Sequence, residues 1–257
     1  MNKNGWLARA VYRAVRGAVW LVYPRTTVEG TENLPGEACV VVGNHTQMNG
    51  PIIGEIYFPG PRRTWCASEM MELSKVPGYA FQDFWSQKPK RTHWFYRILS
   101  YAIAPLSVAV FNNARTIPVY RDARIVSTFR RTMDSLKSGE NVIIFPEHDK
   151  KYNHILYDFR DQFIDVAYFY WKKTGVQLAF VPMYIAPRLR RAVLGAPVRF
   201  DSGQPIAQER ERIKTYLMDE ITRIAESLPE HTVVPYRNIP RKEYPSSRAG
   251  KGGEKKA

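Results

Sequence analysis

The feature that most constrains the fold of this chain is an alternation of short apolar runs with segments of helical period. Residues 39–42 (CVVV), 116–120 (TIPVY), 142–145 (VIIF) and 177–185 (QLAFVPMYI) are apolar runs too short for helices, and most are rich in β-branched residues. Runs of that kind read as strands buried on both faces. Between and after them, apolar residues recur three and four apart. Ile125, Val126, Phe129, Met133 and Leu136 do so up to Gly139, and Phe159, Phe163, Val166, Ala167 and Tyr170 do so ahead of Lys172, Lys173 and Gly175. Ile213, Leu217, Ile221, Ile224 and Leu228 form a last stripe. Cations in a final turn followed by glycine are helix stops. The alternation predicts an α/β fold: a mixed, mostly parallel sheet flanked by helices, with ligands expected at strand ends. Further strands are expected at 26–35 (with a turn), 65–68 and 192–200, and a helix at 51–56 opened by Pro51. No internal repeat is present.

Composition narrows the partners. A chain of 257 residues that is 44% hydrophobic supplies one sizeable domain, and its net charge of +14 calls for an anionic partner. Nucleic acid is not expected, because no recognisable RNA-binding or helix-turn-helix pattern accompanies the charge. The two cysteines, Cys39 and Cys66, have no metal-ligand spacing, and neither a metal nor a bound cofactor is expected. In residues 1–25, Leu7, Val11, Ala14, Val15, Ala18 and Val22 share one helical face while Arg9, Arg13 and Arg16 lie opposite. That pattern fits an amphipathic helix on a membrane surface or an ordinary surface helix packed on the domain; the purely cationic polar face favours the first. Residues 95–111 form an apolar run short of a spanning length and interrupted by Pro105, read as a buried helix pair or a hairpin dipping into one leaflet rather than a transmembrane span. Around it, residues 83–113 set Trp85, Trp94, Phe95, Tyr96 and Tyr101 beside Lys88, Lys90, Arg91 and Arg97, the composition of a membrane-interface contact. The expected organisation is therefore a membrane-surface helix (1–25), an α/β domain (26–236) with a membrane-facing insertion (83–113), and a basic, disordered tail (237–257).

Polar residues with chemical potential cluster at the ends of the expected strands: Asn44-His45, Arg121-Asp122, and Pro146-Glu147-His148-Asp149-Lys150-Lys151, with Pro182 inside FVPMYI. Each alone has a plain reading as a turn residue or a solvated charge. Taken in order, NHTQMNG (44–50), RTIPVYR (115–121), FPEHDKK (145–151) and FVPMYI (180–185) resemble the four motif blocks of the glycerolipid acyltransferases, which acylate lysophosphatidic acid and related acceptors. The resemblance spans about residues 25–230 and implies a glycerol-3-phosphate acyltransferase-like fold.

It also implies the chemistry. His45 would be the general base that takes a proton from the acceptor hydroxyl as that hydroxyl attacks an acyl thioester, a role suited to a group titrating near neutrality. Arg121 and Lys150 match the family's phosphate-binding cations, with Arg160 of the Phe159-Arg160 pair as a third; Asn44 and Pro146 complete the substrate-binding set. Glu147 would orient and balance the cations. Where the family carries the Asp that holds the histidine ring, this chain has Gly50. Asn49 is the nearest alternative partner for the ring N–H, with Glu55 and Asp149 as others. Arg115, Tyr120 and His148-Asp149 also depart from the family pattern. The resemblance implies an O-acyltransferase of phospholipid biosynthesis, peripheral on the cytoplasmic face of the cell membrane. Its acceptor would be a lysophospholipid, its donor an acyl-CoA or acyl carrier protein thioester, and its surface an anionic bilayer. The competing reading is a non-catalytic lipid- or acyl-binding relative.

Overall fold

The computed structural model describes residues 3–252, apart from the side chains of residues 3, 4, 149, 251 and 252. In chain order its elements are α1 (Lys3–Val22), β1 (Thr27–Glu29), β2 (Val40–Gly43), α2 (Asn49–Ile56), β3 (Arg62–Ala67), α3 (Val76–Ala80), α4 (His93–Asn113), β4 (Thr116–Val119) and α5 (Ile125–Lys137). Then follow β5 (Asn141–Ile144), β6 (Glu147–Tyr152), β7 (Tyr157–Phe159), α6 (Asp165–Thr174), β8 (Ala179–Ala186), β9 (Arg191–Leu194), β10 (Val198–Arg199) and α7 (Ile206–Ser227). The fold is α/β, with a mixed, mostly parallel sheet and flanking helices. The chain divides into two units, residues 3–24 with 63–131 and residues 25–62 with 132–252.

In the second unit the strand order is β1-β9-β8-β2-β5, with β10 also on β8. β2 runs parallel to both β5 and β8, and β1 runs parallel to β9, while β9 and β10 are antiparallel to β8. All eight residues of β8 and all four of β2 are buried, as expected of strands covered on both faces. α7 lays Ile213, Leu217, Ile221 and Ile224 against this sheet, the stripe that its period predicts. The single strand expected over 192–200 is instead two, β9 and β10, broken at residues 195–197. The cause lies opposite the break. Gly195 gives its N–H to the Pro182 carbonyl (2.8 Å) in register with β9, but Pro182 has no N–H to return, and β10 resumes one residue out of register, with Val198 opposite Phe180. The polar stretch 147–152, expected only as a strand-ending turn, is itself strand β6, paired antiparallel with β7.

The first unit holds the parallel pair β3 and β4 and the helices α1, α3 and α4. Val76 and Ala80 of α3 and Ala104 of α4 form its buried core, bordered by Phe84, Trp85, Ile103 and Val108. The run read as a broken pair or hairpin is one continuous helix, α4, with Pro105 inside it and exposed. Its Ser107 hydroxyl donates to the Met70 carbonyl (2.9 Å), which fastens the middle of the helix near the proline. By length and composition, residues 90–113 are long and apolar enough to cross a membrane, which the shorter run read from sequence was not. α4 contacts α1, so the N-terminal helix groups with residues 63–131 rather than standing apart. Trp6, Trp20 and Leu21 of α1 and Trp94, Ile98 and Tyr101 of α4 remain exposed.

The tail was expected to be disordered from residue 237. Up to residue 252 it is instead folded back onto the second unit, where Ser247 is fully buried and donates its N–H to the His231 carbonyl (2.8 Å). Residues 253–257 of that expected tail lie outside the described residues.

Candidate active site

β2 ends where its buried valines give way to Gly43 and Asn44, and the first polar side chain completes the ladder. Asn44 donates from Nδ2 to the Ile185 carbonyl (3.1 Å) and accepts the Ile185 N–H at Oδ1 (2.7 Å), so its side-chain amide pairs with β8 as a peptide group would. Both of its hydrogen-bonding functions are engaged, at 1% exposure. Placed in the substrate-binding set from sequence, Asn44 here anchors the end of the strand.

The chain then turns sharply. Thr46 and Gln47 both adopt left-handed backbone, with φ of 46° and 56°. Non-glycine residues there cost on the order of 1–3 kcal/mol each and persist only where their surroundings over-determine them. Several bonds do so. The Gly50 N–H donates to the His45 carbonyl (3.1 Å), and the Asn49 N–H (3.1 Å) and side-chain Nδ2 (2.8 Å) both donate to the Thr46 carbonyl. Gln47 Nε2 donates to Tyr244 Oη (2.8 Å) and to the Arg237 carbonyl (3.2 Å).

Glu147 clamps this turn from β6. One carboxylate oxygen accepts the His45 N–H (2.6 Å) and the other accepts the Tyr157 N–H of β7 (2.8 Å). Glu147 thus joins the β6–β7 hairpin to the backbone of the His45 turn. Burial pushes its carboxyl up to about 7, against the pull of the two N–H donors, which favour the charged form. Pro146, just before it, accepts the Arg160 N–H at its carbonyl (3.0 Å), which closes the other end of the hairpin.

The His45 ring is half-buried between aromatic edges. Phe145 meets it at 5.5 Å and 67°, and Tyr236 at 5.3 Å and 73°. Nδ1 is enclosed and has no hydrogen-bond partner. Burial pushes the imidazole down to about 4, with the backbone of Gln47 and of His45 itself pulling weakly the other way. The ring is therefore neutral at physiological pH. Neutral, the ring keeps one nitrogen with a free lone pair.

The partner expected for Nδ1 is not present among the described side chains. Asn49 turns its Nδ2 to Thr46, not to the imidazole, and Glu55 does not reach the ring either. The Asp149 side chain lies outside those described. Gly50 explains why no side chain approaches from α2. A Cβ there would stand 2.5 Å from the His45 carbonyl oxygen and 3.1 Å from the Phe145 ring. Any residue larger than glycine must push the histidine's own backbone aside. An aspartate cannot simply be restored at this position.

The basic residues gather elsewhere in the same unit. His148 Nε2 lies 3.6 Å from Asp158 Oδ2, and Lys214 Nζ of α7 lies 3.4 Å from Asp158 Oδ1. Burial lowers the His148 imidazole; Asp158 opposes that, and the charges of Arg160, Lys150 and Lys214 add to it. Lys150 and Arg160, both exposed, lie within electrostatic range of His148, with Lys214 as a third cation. Lys214 Nζ also lies 3.7 Å from Glu211 Oε2, so three cations stand against two carboxylates, a set with positive charge left for a phosphate group. Lys214 was not among the sequence candidates: it sits beside Ile213 on an amphipathic helix, where any surface lysine looks alike. Arg121 belongs to the first unit, exposed after β4 and within electrostatic range of Asp83.

No family model matches the chain, and no curated protein does. Among solved structures it is similar to the 1-acyl-sn-glycerophosphate (LPA) acyltransferase of Thermotoga maritima, at 18% identity and a TM-score of 0.41, over 85% of this chain and 83% of that one. A likeness of that degree carries no conclusion about activity.

Proposed function

We propose that this protein is an O-acyltransferase that moves a fatty acyl group from an acyl thioester to the hydroxyl of a lysophospholipid, with His45 as general base. The observation that carries the reading is the neutral imidazole at the carboxyl end of β2, fixed through its backbone by Glu147 and with Nδ1 enclosed, so that Nε2 is the proposed proton acceptor. Nε2 takes the proton of the acceptor hydroxyl, and the oxygen forms a bond to the thioester carbonyl carbon. The C–S bond then breaks, and the thiolate leaves and recovers a proton. A positioned base contributes about 10²–10⁴ in rate. Lys150 and Arg160, with Lys214, are the proposed anchors of the acceptor's phosphate. The donor is acyl-CoA or an acyl carrier protein. The four motif blocks read in the sequence support the reading, and three of them flank β2, β5 and β8. The exposed aromatic and cationic residues of α1 and α4 support peripheral attachment to an anionic bilayer, on the cytoplasmic face.

One observation favours a second reading, a lipid-binding protein without turnover. Among the described residues Nδ1 has no carboxylate behind it, and a base held near 4 accepts protons poorly. The two readings part in one assay: purified protein with labelled acyl-CoA or acyl carrier protein and a panel of lysophospholipids, beside His45→Ala. The first predicts transfer that falls at least 10²-fold in the variant. Acceptor binding with no transfer by the wild type establishes the second, and transfer unchanged in His45→Ala removes the mechanism.

A further inference from the structure

The chain holds a second structural answer to the missing carboxylate, and it lies at the opposite end of the sequence from His45. Residues 233–245 form a loop tied at its base. The Val233 N–H donates to the Pro245 carbonyl (2.9 Å), Thr232 bridges Ser246, and the Ser247 N–H donates to the His231 carbonyl (2.8 Å). His231 is itself pinned to the sheet, with Nε2 2.7 Å from the buried Tyr184 hydroxyl and Nδ1 2.7 Å from the Pro229 carbonyl. Arg248 adds a bond to the Leu228 carbonyl (3.2 Å).

From that base the loop reaches the His45 turn at three points. Tyr236 sets its ring against the imidazole, and Tyr157 of β7 backs Tyr236 at 6.3 Å. The Arg237 carbonyl and the Tyr244 hydroxyl both accept the Gln47 amide. Gln47 is one of the two left-handed residues that bend the chain after His45. The loop therefore holds both the ring and the backbone turn that aims it.

We propose that residues 236–244 are a positioning strap for His45, which fixes the imidazole through the Tyr236 ring and the Gln47–Tyr244 bond where no described carboxylate reaches it. The inference deepens the acyltransferase reading: Tyr236 and Tyr244 act through His45 and need not touch the substrate. Among the described residues, the titratable groups around the ring are Glu147 at its backbone amide and the phenols of Tyr236 and Tyr157. None of these places a charge on Nδ1, so packing and the bent turn do the positioning.

The test is NMR of the full chain with labelled histidine, with the His45 ring assigned by its loss in His45→Gln. Ring nitrogen shifts at pH 7 report the tautomer, and a titration reports the midpoint. In the wild type one tautomer predominates and the midpoint lies at about 4. In Tyr236→Ala the midpoint moves towards the ordinary 6.5 and the tautomers mix, while Tyr236→Phe, which keeps the ring, restores the wild-type signals. Tyr244→Phe, which removes the shorter of the two Gln47 bonds, shifts them in the same direction as Tyr236→Ala. Acyl transfer in Tyr236→Ala falls in kcat by up to about 10²-fold, the scale of a misplaced group, with KM little changed. A wild-type midpoint near 6.5, or His45 signals unmoved in both Tyr236→Ala and Tyr244→Phe, overturns the strap. Should Tyr236→Ala fail to fold, Tyr244→Phe and Gln47→Ala decide by the same signals. A wild type that transfers no acyl group defeats the acyltransferase reading alone, because the titration still decides the strap.

Discussion

Gly50 and His45 set the terms at the scale of single residues. The bare Cα of Gly50 lets α2 begin against the His45 carbonyl, so Gly50→Ala should destabilise the protein by about 1–3 kcal/mol through overpacking. Denaturant unfolding measures this; a midpoint equal to that of the wild type contradicts the close approach. Gly50→Asp should lose stability as well and gain no acyl transfer. Two buried groups on the same turn also make opposite demands on pH. The imidazole of His45 is pushed from 6.5 down to about 4, so its contribution is full above 6.5 and lost as pH falls through 4. Glu147 is raised from 4.5 to about 7, so its contribution is full below 4.5 and lost as pH rises through 7. Between 4.5 and 6.5 the two slopes oppose one another. The stability of Glu147→Gln relative to wild type should therefore climb with pH across that window, and that of His45→Ala should fall, each by at most about 1.4 kcal/mol per pH unit. Differences that stay flat with pH contradict the buried pair. The sequence offered Asn44, His45 and Glu147 as one cluster, and they do lie on adjoining strand ends. Their division of labour was not legible, because it rests on bonds between backbone and side chain across about a hundred residues of chain. Asn44 reads alike as ligand contact or ladder mimic until Ile185 is seen opposite it.

Among the elements, the β6–β7 hairpin carries the densest charge. Lys150 and Arg160 hold the His148 imidazole down, and Asp158 holds it up. The double variant Lys150→Ala with Arg160→Ala should raise the His148 titration midpoint, and Asp158→Asn should lower it, both read by NMR. A midpoint indifferent to both changes places these charges apart and removes the proposed phosphate anchor. The periodic elements were the most legible from sequence: α5, α7, β2, β5 and β8 occur where apolar spacing put them, whereas α6 starts only at Asp165, with Phe159 in β7 and Phe163 in a 3-10 turn ahead of it. The failures have identifiable causes. A charged stretch such as EHDKKY has no apolar alternation to announce a strand, and β6 forms because Glu147 and its neighbours pair with β7. Pro105 suggested a break, yet α4 continues through it, since proline removes one helix bond and its neighbours remain packed. The strand at 192–200 divides because of Pro182 on another strand, which no local pattern in 192–200 records.

For the whole molecule, the net charge of +14 and the exposed aromatic residues of α1 and α4 are consistent with a protein that meets its substrate at an anionic surface. The reaction proposed for it stands on one titrating group. The most direct test is the pH dependence of kcat/KM for acyl transfer to a lysophospholipid, from pH 3.5 to 7, in wild type and in His45→Ala. The account predicts activity that rises through an acid limb near 4, where His45 becomes neutral, and a variant at least 10²-fold slower that lacks the limb. An acid limb at the ordinary histidine value, or a wild-type profile that His45→Ala reproduces at full rate, would contradict it.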